Sequence, residues 1–226
     1  MRTLGRLALL LPLLLLTAPA AQADPISVGD TVTFQHGPGN TGGGSFFLTP
    51  NGNAADAFMT FCLQIERYVD DTSTFVVSGI SEYAFWEDDN RGGDTITGRD
   101  YLSAQTAWLY SNLRAGTLDG YDPESENANN AFQWAVWVLE EEEWQAPPEG
   151  EYAPLANQFI SMANQAVANG FTGLYNVRVM NLVSLDGSDA QDQLMLVPVP
   201  EPSAVALLGS GLLALGFYRR RLFNVA

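Results

Sequence analysis

Lysine is absent from the 226 residues: all ten basic side chains are arginines, set against 26 acidic ones for a net charge of −16. That balance offers no basic footprint for phosphate, which argues against nucleic acid as a partner. It also repels anionic membranes and acidic polysaccharides unless a divalent cation intervenes, so neutral or basic partners are favoured. Histidine occurs once, at His36, and cysteine once, at Cys62. One of each cannot build a nitrogen and sulfur cage for zinc, and no His-Glu-x-x-His helix is present. Nor does a Gly-x-Ser-x-Gly elbow accompany His36, which argues against a Ser-His-Asp hydrolase. A lone cysteine has no internal disulfide partner. The thiol is free, paired between molecules, committed to another covalent bond, or simply a small buried hydrophobe.

Carboxylates, by contrast, are plentiful, and their abundance weakens any chosen pair. Glu140 to Glu143 read as a solvated helix end, and Glu66, Asp100 and Asp119 have no geometric support for glycosidase work. Asp88, Asn90 and Asp94, with Asp89, surround Gly92 and Gly93 in an acidic loop whose hard oxygens suit calcium; Gly92 replaces the Asp or Asn of the fifth EF-hand position. The alternative there is a plain hairpin loop. Calcium is the one cofactor the sequence suggests, and no catalytic constellation makes the chain an enzyme.

Export signals stand at both ends. Arg2 and Arg6 precede an apolar block from Leu7 to Leu16, and Ala21-Gln22-Ala23 supplies the small residues of a signal peptidase site, so residues 1–23 read as a signal peptide and the mature chain begins at Asp24. At the other end a Val-Pro-Val-Pro-Glu-Pro run, Val197 to Pro202, precedes an apolar stretch, Ser203 to Tyr218, and then Arg219, Arg220 and Arg221. As a helix the stretch rises about 24 Å, short of the roughly 30 Å hydrocarbon layer. It therefore anchors the chain only transiently, with the arginines cytoplasmic and the rest outward. Pro200-Glu201-Pro202, the short apolar stretch and the arginines, within residues 198–226, resemble the PEP-CTERM tail of exported proteins from Gram-negative, exopolysaccharide-making bacteria. The resemblance implies processing by an exosortase, a membrane enzyme that cuts near the motif, and release or transfer to the surface. An ordinary single-pass tail anchor is the alternative.

Residues 24–197 suffice for one domain. Strand-like runs cover Ile26 to Phe34, Ser45 to Leu48, Ala57 to Tyr68, Thr74 to Ile80, Leu174 to Ser184 and Gln193 to Val197, with a Gly-rich loop from Gly37 to Gly44. Between them the periodicity predicts helices over Tyr101 to Arg114, Ala128 to Trp144 and Pro154 to Asn169. Strands, helices, then strands make an α+β domain: a β-sandwich or barrel-like sheet with an inserted helical subdomain.

Cys62 lies in Phe58-Met59-Thr60-Phe61-Cys62-Leu63, a strand of large apolar neighbours. Downstream come Ala104-Gln105-Thr106-Ala107-Trp108-Leu109-Tyr110 and Ala131-Phe132-Gln133-Trp134-Ala135-Val136-Trp137. This order, over roughly residues 57 to 140, resembles the thioester domains of bacterial surface adhesins, known by a Thr-Gln-x-Ala motif. The resemblance implies an internal thioester between the Cys62 sulfur and the Gln133 side-chain carbonyl, and attachment to an amine-bearing surface or matrix component. Phe132 stands where the family has threonine. Such a bond needs its two groups held together in a dry pocket, and Phe61, Trp108, Trp134 and Trp137 are the candidate shell. The missing lysines then fit a domain that must not capture itself, although an arginine-favouring, GC-rich genome gives the same composition. The rival reading is a non-covalent structural or binding protein of the extracellular or exopolysaccharide matrix with an inert, buried Cys62.

Overall fold

Alternation sets the first strand: in β1 (Thr31–His36), Val32 and Phe34 point inward while Thr31, Thr33 and Gln35 face solvent. The structure, a computed structural model, describes residues 23–40, 44–85, 97–142, 150–198 and 211. After β1 come β2 (Ser45–Pro50), β3 (Phe58–Phe61), β4 (Thr74–Ser81), and a short hairpin of β5 (Tyr83–Phe85) and β6 (Arg99–Tyr101). Three helices follow, α1 (Ala104–Arg114), α2 (Glu126–Leu139) and α3 (Ala153–Ala168), and the chain closes with β7 (Val177–Ser184) and β8 (Gln193–Leu196). This is the expected α+β order.

The large sheet is antiparallel, in the order β3-β2-β1-β4-β7-β8. It curls until its two edges meet. Cys62 bridges Gln193, and Leu63 N donates to Asp192 O at 3.1 Å. Inside the curl lie Val32, Phe34, Phe46, Leu48, Phe75, Val77, Met180, Leu182 and Met195. Outside, the helices press Leu109, Tyr110, Phe132, Val136 and Phe159 onto Phe61, Val179 and Leu194. Leu194 and Met195 thus serve opposite faces of one strand, as a period of two requires.

Several boundaries differ from the sequence reading. The first strand starts at Thr31 rather than Ile26, because Ser27 to Asp30 close a turn, with Ser27 N donating to Asp30 Oδ2 at 2.8 Å and Gly29 at φ +94°. β3 stops at Phe61 instead of Tyr68, and β7 starts at Val177 instead of Leu174, after Tyr175 at φ +51°. Tyr101 belongs to β6; α1 begins after Ser103, whose hydroxyl accepts from Thr106 N. Likewise α2 starts two residues early, capped by Ser125, and ends at Leu139, short of Trp144.

A clasp joins the start of the described chain to β8. Asp24 N donates to Leu196 O at 2.8 Å, and Leu196 N donates back to Asp24 Oδ2 at 2.7 Å. Arg114 adds two donors to the same carboxylate, at 2.6 and 3.0 Å, and a third to Tyr110 Oη at 2.8 Å. Burial pushes the Asp24 carboxyl up, against the pull of Arg114.

Candidate functional site

The β2–β3 register pairs Ser45 with Phe61, so the next rung would join Gly44 to Cys62. That rung is occupied by a side chain from α2. Gln133 Oε1 accepts from Gly44 N and from Cys62 N, each at 3.2 Å, and Gln133 Nε2 donates to Cys62 O at 2.9 Å. The Cys62 thiol lies against the same carbonyl, Sγ to Oε1 3.2 Å, and both residues are 0% exposed. A nucleophile, an acyl group and two converging backbone donors therefore share one dry site, the arrangement that stabilises an oxyanion in acyl transfer.

Two features hold Gln133 there. The Gly-rich loop is strapped to α2 one turn before it: Asn40 N donates to Asn130 Oδ1 at 2.7 Å, and Asn130 Nδ2 donates to Asn40 Oδ1 at 2.9 Å. Gly39 is required by this strap, because it sits at φ +126° and a Cβ there would meet Asn130 Oδ1 at 2.9 Å. The second feature is Phe132, which points away from the pair into the outer core and packs on Phe61 at 4.3 Å between ring centroids. Phe132 thus has a packing role of its own.

Burial dominates the thiol. It pushes Cys62 up to about 12, with the Gly44 and Cys62 N–H groups and the Trp137 side chain pulling down and the Glu142 charge pushing up. As a free side chain Cys62 is accordingly a poor thiolate.

Of the four aromatic shell candidates, Phe61 is fully buried in the outer core and Trp137 is 2% exposed, four residues after Gln133 on α2. Trp134 is half-buried and meets Trp137 edge to face at 5.7 Å. Trp108 packs half-buried on the helix-side core. The indole N–H groups of Trp134 and Trp137 are buried with no hydrogen-bond acceptor among the described residues.

The glutamate run is solvated only in part: Glu141 is exposed, and Glu143 lies outside the described residues. Glu140 and Glu142 are buried, because α2 ends in a turn that sends Glu142 N to Trp137 O at 2.9 Å and Glu141 N to Val138 O, with Glu141 left-handed at φ +62°. Glu140 accepts from Ser103 Oγ at 2.6 Å and so ties α2 to the start of α1; Glu142 Oε2 accepts from Ile65 N at 3.2 Å, beside the cysteine strand. Burial raises the Glu140 pKa, with the Ser103 hydroxyl opposing.

Sequence reading also missed Asp192. Its carboxylate accepts from Phe85 N at 2.9 Å, Asn181 Nδ2 at 2.8 Å and Leu182 N at 3.0 Å, which docks the β5–β6 hairpin on the sheet. Burial nevertheless pushes it up to about 7. The calcium candidates Asp88, Asn90 and Asp94 lie outside the described residues, as do residues 1–22 of the expected signal peptide and Pro200, Glu201, Pro202, Arg219, Arg220 and Arg221 of the tail. Among the described residues no helix is long and apolar enough to cross a membrane; the tail's apolar stretch is, Gly211 apart, not among them.

Comparison with known proteins places a PEP-CTERM protein-sorting motif at residues 198–221. The motif marks an exported protein handled by an exosortase-like membrane enzyme through a transiently anchoring C-terminal tail. No curated protein and no solved structure matches the chain.

Proposed function

We propose that residues 24–197, freed of the signal peptide, form an extracellular domain with an internal thioester between Cys62 Sγ and Gln133 Cδ, which attaches the protein covalently to an amine-bearing surface or matrix component. The observation that carries this reading is the Gln133 carboxamide seated in the opened Gly44–Cys62 rung, its carbonyl receiving two backbone N–H groups and touching the thiol. Formation joins sulfur to Gln133 Cδ and expels ammonia, which carries away the thiol hydrogen. An incoming primary amine then displaces the sulfur, leaving an amide on Gln133 and a thiol on Cys62. The bond is used once, so the protein is a trap and not an enzyme.

Intact mass tests the reading. The purified domain is expected to weigh one ammonia less than its sequence, and the Cys62→Ala and Gln133→Ala variants to carry their full masses. An unmodified wild-type mass, with a thiol that titrates after gentle denaturation and hydrolysis excluded, would sink it. That same outcome favours the second reading, a non-covalent matrix protein with an inert cysteine, whose supporting observation is the complete burial of Cys62 and its high thiol pKa.

For the tail we infer cleavage near Pro200-Glu201-Pro202, on the strength of the sorting motif. Surface material from the native host should lack everything from roughly the motif onward, and replacing Arg219, Arg220 and Arg221 with alanine should leave unprocessed or mislocalised precursor. Recovery of a peptide containing Phe217 and Tyr218 from released protein would mean that the tail is an uncut anchor. Calcium at Asp88, Asn90 and Asp94 is a separate proposal, resting on their oxygen-rich sequence.

A further inference from the structure

The thioester reading gives a place to the two backbone donors but not to the charge that gathers on sulfur. When an amine attacks Gln133 Cδ, the C–S bond breaks and its electron pair stays on Sγ; a proton from the amine nitrogen later ends there. During formation the same charge is present before ammonia departs. In a site closed to water, a sulfur anion is costly unless a donor meets it. The described residues hold such a donor without an acceptor. Trp137 stands one helical turn after Gln133, on the same face of α2, with its indole N–H buried and unpartnered. A buried N–H with nothing to bond is rare in folded proteins and points to a function in another state of the site.

We propose that the Trp137 indole N–H is the hydrogen-bond donor to the Cys62 sulfur as it gains negative charge, in thioester formation and in its opening by amines. This inference rests on the thioester reading. A neutral thiol sulfur is a weak acceptor, so the bond is expected to gain its strength only as charge builds on the sulfur. The pull of Trp137 on the thiol, toward the thiolate, has the required sign. It is opposed by the Glu142 carboxylate, held beside the strand by Ile65 N. Trp134 supplies an internal comparison: its N–H is also buried and unpartnered, but it stands one residue after Gln133, off that face.

The test uses the purified thioester-bearing domain and methylamine. Trp137→Phe keeps an aromatic ring and removes the donor; it should slow opening on the order of 10- to 100-fold, while Trp134→Phe opens at close to the wild-type rate. In the opened domain, alkylation of the Cys62 thiol by iodoacetamide should shift to higher pH in Trp137→Phe, a change that loosened packing would not mimic, because added solvent access lowers this thiol's pKa. Should Trp137→Phe fail to fold, the wild type still decides: the nitrogen-15 indole resonance of Trp137 should move when methylamine opens the bond and titrate with the thiol. A bond confirmed by mass whose opening rate or thiol profile ignores Trp137→Phe, or whose indole resonance does not respond, overturns the inference and leaves the thioester standing. Absence of the ammonia loss in wild type removes both.

Discussion

Methylamine is expected to label the domain stoichiometrically: one adduct on Gln133 for each Cys62 thiol that appears, and none in Cys62→Ala. The two N–H groups on the Gln133 carbonyl polarise it toward attack, and the sulfur is the better leaving group of the two it has carried, since a thiolate departs more readily than an amide ion. Because Cys62 and Gln133 are wholly buried, reactivity should fall steeply with amine size, from methylamine to a lysine-containing peptide, unless a partner first docks and opens the site. The chain brings no lysine of its own, so its α-amine is the one primary amine that could compete with the added one. Labelling is read by peptide mass and thiol titration on the same sample. Thiol without adduct would identify hydrolysis as the route and remove the support for covalent attachment.

Arg114→Ala should be the most damaging substitution outside Cys62 and Gln133. Its guanidinium makes a two-pronged bond to Asp24, whose side chain is 2% exposed. Without it, a buried carboxylate keeps, among the described residues, only the Leu196 N–H, an uncompensated charge that costs about 3–5 kcal/mol. The loss depends on pH with a definite sign. Burial raises the folded Asp24 pKa above its unfolded value, so this group's contribution is complete below the unfolded pKa and lost as pH rises through the folded one. Removing Arg114 raises the folded pKa further, so the penalty should be greatest at neutral pH and above and shrink toward acid. Urea midpoints of wild type and Arg114→Ala across that range check the claim, and adding Asp24→Ala should recover part of the loss, as coupled partners do. A penalty that is small, or flat with pH, would mean that the clasp contributes little.

The sequence made the layer order legible because hydrophobic period switches cleanly, from two in Val32 and Phe34 to helical spacing in Phe132, Ala135, Val136 and Leu139. It also named Cys62 and Gln133. What it hid was the opened rung, because Gly44 looks like any other glycine of its loop, and its partnership with Cys62 exists only once the β2–β3 register is set. The hairpin was invisible for another reason: Tyr83–Phe85 and Arg99–Tyr101 are three-residue strands far apart in the chain, docked by one buried carboxylate. The glutamate run misled in the opposite direction. Four acids in a row read as solvated, yet the left-handed turn at Glu141 drives Glu140 and Glu142 inward onto N–H and O–H donors.

The meeting of Asp24 with Leu196 gives the domain a compass bearing. Strand β8 runs from Gln193, beside Cys62, to Leu196, where the chain departs for its sorting tail. Those ends are about 10 Å apart along the strand. Asp24 and Val197 thus emerge at one end of β8, and Cys62 and Gln133 lie toward the other. A tail anchored in the membrane would hold the protein by the Asp24–Leu196 end, with the Cys62–Gln133 end directed away from it. Severing that tail, as proposed, would change how far the molecule can travel, but not which end had been tethered.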